Sequence, residues 1–429
     1  MSRRAWTPER AIDLLAILLS DVRYGLGAYL GVYLLTEHGW DPASIGYSLS
    51  FGGVAGLLAQ TPVGWVVDRT RAKRALLAGA VLIVTATCLA IPLAPRFWPV
   101  AALAVIGSLA GVSLSPALAA ISLGIVGPDR FARRAGRNES LFHLGNALIN
   151  VGILLTAPIF GSPVLFWAMA GTGLGSALAA MAVPGRAIDH RIACGLLPGL
   201  APRPSLRESV RALATSRALL VFAASGALFN LANASILGIL AQRLAIGNPG
   251  QGVALTALSA IVAQSVMVPA AATAALRADR WGRKPLLMLA FAALVVRATL
   301  YGVLRDPAWM IPVQLLDGFA VGLLGALFPV VVADLTRGLG VFNAAQGAVG
   351  TLQDIGGVAS GALAGAIIVA AGYETAFLTL AAIALAGSVL LWLGMPETRP
   401  VGLIQPSVLP PSGLGAPAGS SAPAGTPPT

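Results

Sequence analysis

Charged residues are scarce in this chain of 429 residues. Only 10% are Asp, Glu, Lys or Arg, whereas 57% are hydrophobic and the mean hydropathy is +0.82. Soluble globular proteins carry about 25% charged residues. The composition therefore excludes an ordinary soluble enzyme. It predicts an all-α membrane protein with several spans, since one crossing of the bilayer takes about 20 apolar residues.

Cysteine and several chemical motifs are also missing or rare. Cys88 lies in an apolar run and Cys194 in a basic loop, so neither a disulfide framework nor a tetrahedral zinc site is expected. The GxxxxGK[ST] phosphate loop, the HExxH zinc helix and the GxSxG nucleophile turn do not occur. We therefore expect no enzymatic activity, no metal and no cofactor, and an ATP-driven pump is disfavoured.

The apolar runs and the turn signals between them predict twelve spans in two sets of six. The first set covers residues 11–35, 43–67, 75–95, 98–126, 139–161 and 163–184, and the second covers 217–243, 252–276, 285–304, 308–333, 342–371 and 374–395. This pattern divides the chain into an N-terminal half (1–184), a cytoplasmic linker (185–216), a C-terminal half (217–397) and a disordered tail rich in Pro, Gly, Ser and Ala (398–429).

The basic residues are unevenly distributed over the predicted loops. With the N-terminus placed inside, 23 of the 28 Lys and Arg residues fall on the inner side and three on the outer side. This is the positive-inside pattern, and it places both termini in the cytoplasm. Membrane orientation also explains the net charge of +11 better than binding to nucleic acid does.

An internal repeat supports the division into halves. Asp68-Arg69 follows the second span, and Asp279-Arg280 follows the eighth span 211 residues later. Parallel halves of this kind are one of the repeat plans of secondary transporters. The two loops read Gly64-Trp65-Val66-Val67-Asp68-Arg69-Thr70-Arg71-Ala72-Lys73-Arg74 and Ala275-Leu276-Arg277-Ala278-Asp279-Arg280-Trp281-Gly282-Arg283-Lys284.

These loops resemble the signature loop of the major facilitator superfamily, GxLaDRxGRkxxl. The first copy departs from the pattern at Arg71 and the second at Ala275, which replace glycines. The resemblance implies two six-helix halves that rock about a central site. It also implies a conformational latch, closed when the cytoplasmic side is closed, formed by Gly64, Asp68, Arg69, Lys73, Arg74, Asp279, Arg280, Gly282, Arg283 and Lys284. The alternative is that these charges only set the topology.

Five charged residues lie inside predicted spans, where each costs about 2.5–3.5 kcal/mol on insertion scales unless it is paired or hydrated. They are the candidate coupling or substrate residues: Asp21, Arg23, Arg297, Asp317 and Asp354. Their depths predict a pair between Arg297 and Asp317. Asp21 and Arg23 point to different sides of one helix, so each needs its own partner. The alternative is that all of them form fixed buried ion pairs.

The resemblance also implies that the first, fourth, seventh and tenth spans line the central cavity. This arrangement favours Asp21, Arg23 and Asp317 among the charged residues. The polar candidates for the cavity wall are Asn146, Asn230, Asn233 and Gln314, with hydrogen bonding between helices as the alternative. His143 is interpreted as a hydrogen-bonded interior group. Asp13, Glu139 and Asp334 are interpreted as caps or members of loop clusters.

Buried carboxylates favour proton coupling, because burial stabilises their neutral form and a change of access can release the proton. The resemblance favours efflux of a small amphiphilic solute across a bacterial inner membrane by a monomer. Uptake symport of a small polar metabolite, sodium coupling, uniport and a non-transporting membrane sensor with the same fold remain open.

Overall fold

The computed structural model describes residues 7–24, 30, 33–34, 37–40, 42–196, 211, 214–247 and 252–399, and the regular structure within them is helical. The first half contains helices α1 (Pro8–Tyr24), α2 (Pro42–Arg69), α3 (Lys73–Ala90), α4 (Phe97–Gly111), α5 (Leu114–Val126), α6 (Pro128–Phe160) and α7 (Pro163–Ala182). The second half contains α8 (Arg217–Asn233), α9 (Ile236–Gly247), α10 (Gly252–Trp281), α11 (Arg283–Val303), α12 (Pro307–Met310), α13 (Gln314–Leu335) and α14 (Phe342–Gly394). Three short 3-10 helices cover Ile91–Leu93, Gly185–Ala187 and Ile192–Cys194.

Nine helical stretches among the described residues are long and apolar enough to cross a membrane. The predicted all-helical membrane fold is thereby confirmed, whereas the count of twelve spans stays a prediction. Helices α1 and α6 correspond to the first and fifth predicted spans but are not among the nine. Residues 197–210 of the predicted linker and 400–429 of the predicted tail lie outside the described residues.

Proline and glycine explain where several helices begin or turn. Helices α2, α6 and α7 begin at Pro42, Pro128 and Pro163. Proline suits the first helical position, because the missing N–H would have no partner there. The long helix α14 turns at Gly372, whose φ of 83° lies in the left-handed region. This turn falls between the eleventh and twelfth predicted spans and divides α14 into two helical parts.

Each half has its own apolar core, and the two cores meet at one end of the bundle. One cluster draws on residues from Ala11 to Ala193, and the other mainly on residues from Leu219 to Met395. The second cluster also contains six residues from α5 and α6: Ala119, Leu123, Val126, Phe131, Ala132 and Ala135. We call this end of the bundle the loop end, because α2 and α10 both finish there.

Two antiparallel helix pairs join the halves near the loop end: α2 with α14, and α6 with α10. Gly347 of α14 faces the Gln60 carbonyl of α2, and Gly136 of α6 faces the Ala271 carbonyl of α10. At both sites a Cβ atom would collide with the opposite backbone, so glycine permits the close approach. The two contacts are related by the repeat, because 211 residues separate Gln60 from Ala271 and Gly136 from Gly347.

Candidate functional site

Asp68 joins the halves at the loop end. Its Oδ1 accepts hydrogen bonds from the backbone N–H of Asn343 (3.1 Å) and from the Asn343 side-chain amide (2.8 Å). Its Oδ2 accepts a bond from the backbone N–H of Ala344 (2.9 Å). Helix α14 begins at Phe342, so these N–H groups belong to its first turn and have no partner within the helix. A buried carboxylate of one half therefore caps a helix of the other.

Gly64 allows this cap to form. It lies one turn before Asp68 on α2, and a Cβ atom there would collide with the Asn343 carbonyl. Along the same antiparallel crossing, Gly347 faces Gln60. The leading glycine of the signature loop thus brings the two backbones close enough for the Asp68 carboxylate to reach the end of α14.

The basic residues Arg69, Lys73 and Arg74 of the first loop contact groups of their own half. The Arg69 guanidinium lies 4.4 Å from the ring centroid of Trp65. Lys73 is buried and donates to the carbonyls of Val67 (2.7 Å) and Thr70 (2.8 Å), at the end of α2. Arg74 donates to the Val183 carbonyl (2.6 Å), beyond the end of α7. Cations at helix C-termini are favourable because they meet unpaired carbonyl groups there.

The second copy of the loop does not form an equivalent cap. Asp279 is half exposed and pairs with Arg283 of the same loop at 2.9 Å. The positions related to Asn343 and Ala344 by the repeat are Ala132 and Arg133. Because α6 begins at Pro128, their N–H groups lie beyond its first turn and bond within the helix. The two copies therefore differ in where the facing helix begins.

The second loop is held instead within its own half. The Arg283 side chain is buried and donates to Asp334 (3.0 Å), and Glu397 accepts from the backbone N–H groups of Arg283 (2.8 Å) and Lys284 (3.1 Å). Gly282, with φ of 95°, leaves room for the Glu397 carboxylate. The Arg280 carbonyl accepts a bond from Arg399 (2.8 Å). These contacts fix the start of α11 against the chain after α14.

A polar group lies deeper in the bundle, with Arg23 of α1 at its centre. The Arg23 side chain is 35% exposed; it lies 3.6 Å from Glu139 of α6 and 4.6 Å from the ring centroid of Phe142. Glu139 also lies 3.5 Å from His143, one turn along the same helix. The Glu139 carboxylate approaches Gly325 of α13, where a Cβ atom would lie 2.8 Å from its Oε1. Glu139 therefore reaches the boundary between the halves.

The second half contributes Asp354 to the same region. Its Oδ2 accepts a hydrogen bond of 2.5 Å from the Gln60 side-chain amide of α2, and Thr351 donates to the Leu57 carbonyl at 3.3 Å. Asp354 is exposed, and Arg23 acts on it electrostatically. At 1.5 Å per residue, Asp354 lies about 18 Å along α14 from Phe342, which is near mid-depth of the part of α14 that precedes the turn at Gly372, about 45 Å long.

Asp21 lies apart from this group, half-buried between α1 and α7. Its Oδ2 accepts a hydrogen bond of 3.0 Å from Thr172. Arg23, two residues along, turns towards Glu139. The expectation that Asp21 and Arg23 need separate partners is therefore confirmed, and the partners come from α7 and α6.

The predicted pair between Arg297 and Asp317 is also confirmed. Arg297 Nη1 lies 2.6 Å from Asp317 Oδ1 and 2.6 Å from Asn233 Oδ1, so α8, α11 and α13 are joined. Arg297 is 1% exposed, and the Asp317 side chain is 11% exposed. This group belongs to the interior of the second half rather than to the boundary between the halves.

Two of the other polar candidates, Asn146 and Asn230, form hydrogen bonds with residues of helices. Asn146 accepts from Asn150 on the next turn of α6. Asn230 donates to the Gln353 carbonyl of α14 at 3.1 Å. Gln314 is fully buried, and its side-chain amide has no hydrogen-bond partner among the described residues. The alternative of inter-helix hydrogen bonds thus applies to Asn230 and Asn233.

Sequence reasoning missed three residues that join the halves. Glu139 was expected to be a cap or a member of a loop cluster, but it pairs with Arg23 and reaches Gly325 of the other half. Its spacing of four residues from His143 on one helix was the available signal, because such residues share a face. Gln60 and Asn343 are uncharged, and no local signal identified them. Asp13 and Asp334 follow the expectation, since they pair with Arg134 (2.7 Å) and Arg283.

The arrangement combines two kinds of contact between the halves. At the loop end a carboxylate caps a helix, and near mid-depth Arg23 pairs with Glu139 of its own half and acts electrostatically on Asp354 of the other. A charge shared in this way can change partner when the halves separate. The geometry can therefore link occupancy of the deeper site to closure of the loop end.

Comparison with known proteins gives three findings. The family model described as Major Facilitator Superfamily matches residues 12–268 and 217–410. Two proteins of Mycobacterium tuberculosis, from strains CDC 1551 / Oshkosh and H37Rv, are named uncharacterised MFS-type transporters. Each is 46% identical over 392 residues, covering 91% of this chain and 93% of the relative.

Solved structures share the fold at low sequence identity. The human organic anion transporter MFSD10 (TETRAN) aligns with a TM-score of 0.63 at 18% identity, over 90% of this chain and all of that one. The proton:xylose symporter XylE bound to 6-bromo-6-deoxy-D-glucose aligns with a TM-score of 0.69 at 13% identity, over 91% and 96% of the two chains. At these identities the likeness concerns the fold alone.

Proposed function

Because the chain belongs to the major facilitator superfamily, a family of membrane transporters, we propose that it is a proton-coupled secondary transporter that works by alternating access. Its twelve spans form two six-helix halves (1–184 and 217–397) joined by the linker 185–216, and it acts as a monomer in a bacterial inner membrane. The observation that carries the proposal is the polar group at mid-depth, where Arg23 pairs with Glu139 of its own half and acts electrostatically on Asp354 of the other half, and where Gln60 donates to Asp354 across the boundary.

The positive-inside pattern assigns the loop end to the cytoplasm, with both termini on that side. The described conformation then has its cytoplasmic side closed, because Asp68 caps α14 and the cores of the two halves meet there. The deeper polar group lies on the outer side of this closure. We call the Asp68 contact with Asn343 and Ala344 the cytoplasmic gate.

Asp354 is the proton-binding group in this scheme, and Glu139 assists it through Arg23. The ionised Asp354 carboxylate accepts a charge-assisted hydrogen bond from Gln60 across the boundary between the halves. Protonation removes that charge and weakens the bond. The same event leaves Arg23 with fewer anionic partners. Proton uptake thereby favours separation of the halves, and proton release favours their closure.

Asp317 is a weaker candidate for coupling. Its carboxylate is held by Arg297 inside the second half, so a change of its charge does not act directly on the boundary between the halves. Asp21 faces Thr172 within the first half, and it is assigned a supporting role.

The transported solute is proposed to be a small amphiphilic compound, moved outwards. Carboxylates outnumber cations at the polar group, and the exposed apolar residues Leu58, Ile355 and Val358 lie within four positions of Gln60 on α2 or of Asp354 on α14. This combination suits a solute with one polar and one apolar part. Uptake of a small polar metabolite and a sensor role are the alternatives that the experiment below separates.

The test begins with a thermal-shift screen of the purified protein against a solute library. Solutes that stabilise the protein are then examined in proteoliposomes with an imposed pH gradient. We expect solute-dependent proton flux that falls at least about tenfold in Asp354→Asn, because the proton-binding group is lost, and in Glu139→Gln, because Arg23 loses its paired carboxylate. Glu374→Gln, at an exposed carboxylate away from the polar group, is the matched control and keeps the flux.

The direction in which the solute moves relative to the protons distinguishes efflux from uptake. Solute movement opposite to the protons indicates efflux by antiport, and movement with the protons indicates uptake by symport. Solute binding without flux or counterflow in the unmodified protein would support the sensor instead. Undiminished flux in both Asp354→Asn and Glu139→Gln would remove these residues from the mechanism.

A further inference from the structure

The start of the linker forms a compact segment on the loop end. Residues 188–196, here named the strap, include the 3-10 helix Ile192–Cys194, and Ala193 and Cys194 are fully buried. A linker that served only as a tether would have no need to bury its side chains. The strap therefore requires a structural explanation of its own.

The strap is anchored to the first half through α5. The Asp189 N–H donates to the Gly124 carbonyl at 3.0 Å, and a Cβ atom at Gly124 would lie 2.8 Å from the Asp189 carbonyl oxygen. Asp189 also shapes the strap itself, because its Oδ1 accepts the N–H groups of Arg191 (2.8 Å) and Ile192 (3.1 Å). This carboxylate therefore caps the first turn of the 3-10 helix.

The opposite side of the strap contacts the second half. The Gly195 carbonyl accepts a hydrogen bond of 2.6 Å from the N–H of Gly338, and the Ala193 carbonyl accepts one of 3.3 Å from the Asn343 side chain. Leu196 packs over Gly340, where a Cβ atom would lie 3.1 Å from its side chain. The strap thus bonds to the connection between α13 and α14 as well as to the first turn of α14.

Asn343 links the strap to the cytoplasmic gate. The same side-chain amide nitrogen donates to Asp68 Oδ1 (2.8 Å) and to the Ala193 carbonyl (3.3 Å), and its oxygen accepts from Gln346 at 3.2 Å. Asn343 is fully buried. Because α14 moves with the second half and the strap is anchored to the first, separation of the halves must break the strap contacts together with the Asp68 contact.

From this arrangement we infer that the strap belongs to the cytoplasmic gate, together with Asp68 and the first turn of α14. Asp189 is a positioning residue: it shapes the strap so that the strap carbonyls accept hydrogen bonds from Gly338 and Asn343. The inference rests on the alternating access proposed above. In the closed state the strap covers the junction of α2, α5 and α14. When the gate opens, the strap leaves the second half and exposes residues that it buries now.

Cys194 provides a reporter of this release. Its thiol is fully buried in the strap, and Cys88, the other cysteine, lies buried in α3. A Cys88→Ala protein therefore carries one thiol, and a membrane-impermeant maleimide added to inside-out vesicles reaches it only from the cytoplasmic side. The labelling rate of Cys194 then measures how often the strap is released.

The experiment compares four variants of this single-cysteine protein. We expect Asp189→Ala to label about fivefold faster, the factor that corresponds to one ordinary hydrogen bond. Asp189→Asn keeps an acceptor oxygen and should label at the parental rate. Asp68→Ala, which weakens the gate from the other side, should also label faster. Asp279→Ala changes the equivalent position of the repeat, which does not contact the strap, and should leave the rate unchanged.

Several results would overturn the inference. They are a parental rate in Asp189→Ala, an Asp189→Asn protein that labels as fast as Asp189→Ala, or a parental rate in Asp68→Ala. If Asp189→Ala or Asp68→Ala does not fold, Gly124→Ala displaces the strap by steric conflict and should label faster than its control Gly111→Ala, where a Cβ atom has space. Equal rates in those two variants would also reject the inference.

The labelling is measured without solute, so the strap and the transport proposal can fail separately. Strap-dependent labelling in a protein that shows no solute flux would reject the proposed function and retain a conformational gate. Solute flux with labelling that none of these substitutions changes would retain transport and reject the strap.

Discussion

At the scale of single residues, similar groups take different roles because their surroundings differ. Asp68 and Asp279 occupy equivalent places in the repeat, yet Asp68 is buried against the first turn of α14 whereas Asp279 is half exposed. The unpaired N–H groups of a helix start give a carboxylate its binding partners, and hydrogen bonds to a charged group contribute about 1.5–3 kcal/mol each. The side chain alone does not determine its role.

Gly325 is expected to control the position of Glu139. In Gly325→Ala the new methyl group meets the Glu139 carboxylate, which is the flexible end of a side chain and can move away. We therefore expect stability to change by less than about 1 kcal/mol, because alanine favours a helix over glycine by up to about that amount and offsets the movement of the side chain. The proton-coupled flux should fall clearly, because Glu139 moves relative to Arg23. Thermal unfolding and proteoliposome flux give the two readings. Parental flux in a stable Gly325→Ala protein would show that the position of Glu139 is unimportant.

The Arg297–Asp317 pair is expected to act on stability. Asp317→Leu leaves the Arg297 guanidinium buried without its carboxylate, and breaking a buried pair costs about 3–5 kcal/mol. The thermal unfolding midpoint in detergent should fall by several degrees. The double variant Arg297→Met/Asp317→Leu should recover most of the loss. Arg305→Gln, in an exposed pair with Glu374, is the control and should change stability by less than about 1 kcal/mol. An unchanged midpoint in Asp317→Leu would contradict the structural role.

At the scale of helices, the crossing of α2 and α14 determines how closely the halves approach. Gly347 is the contact point on α14, and Gln60 provides the facing carbonyl. Valine at position 347 cannot be accommodated without moving one backbone, so Gly347→Val should hold the halves apart at the loop end. On the same helix Gly361 has nothing within 4 Å, and Gly361→Val is the matched control.

Spin labels at the exposed positions 71 and 339 can measure this separation, because they stand on loops of different halves at the loop end. We expect the population with the longer distance to rise about tenfold in Gly347→Val, the factor that corresponds to about 1.4 kcal/mol, and to stay unchanged in Gly361→Val. Identical distance distributions in the two variants would mean that this crossing does not set the approach of the halves.

The sequence predicted the helices better than it predicted their contacts. Apolar runs located the long helices, and the turn at Gly372 falls where two spans were predicted to be separate. The free-energy cost of a charge inside a membrane span singled out the charged residues within the spans. The similar depth of Arg297 and Asp317 predicted their pair correctly. Which side chains meet across the halves depends on the register of helices nearly 300 residues apart, such as Gln60 and Asp354, and no local pattern encodes it.

At the scale of the whole molecule, the contacts described between the halves fall into two layers. The gate at the loop end consists of the Asp68 cap and, as proposed, the strap. The deeper layer contains the hydrogen bond from Gln60 to Asp354 and the approach of the Glu139 carboxylate to Gly325. Both layers hold the same two bodies together. A change of charge in the deeper layer therefore alters the balance between closed and open forms even where the gate residues are unchanged.

The position of the halves should consequently depend on pH through Asp354. At high pH the ionised carboxylate accepts the charge-assisted bond from Gln60, which favours the closed form; at low pH the neutral carboxyl accepts more weakly, which favours opening. The labels at positions 71 and 339 should therefore report longer distances as the pH falls. In Asp354→Asn the bond is weak at every pH, so the distances should be long and the pH response largely lost. Glu374→Gln should respond as the parent does. A full pH response in Asp354→Asn would place the proton on another group, and Glu139, which shares Arg23, is then the first to test.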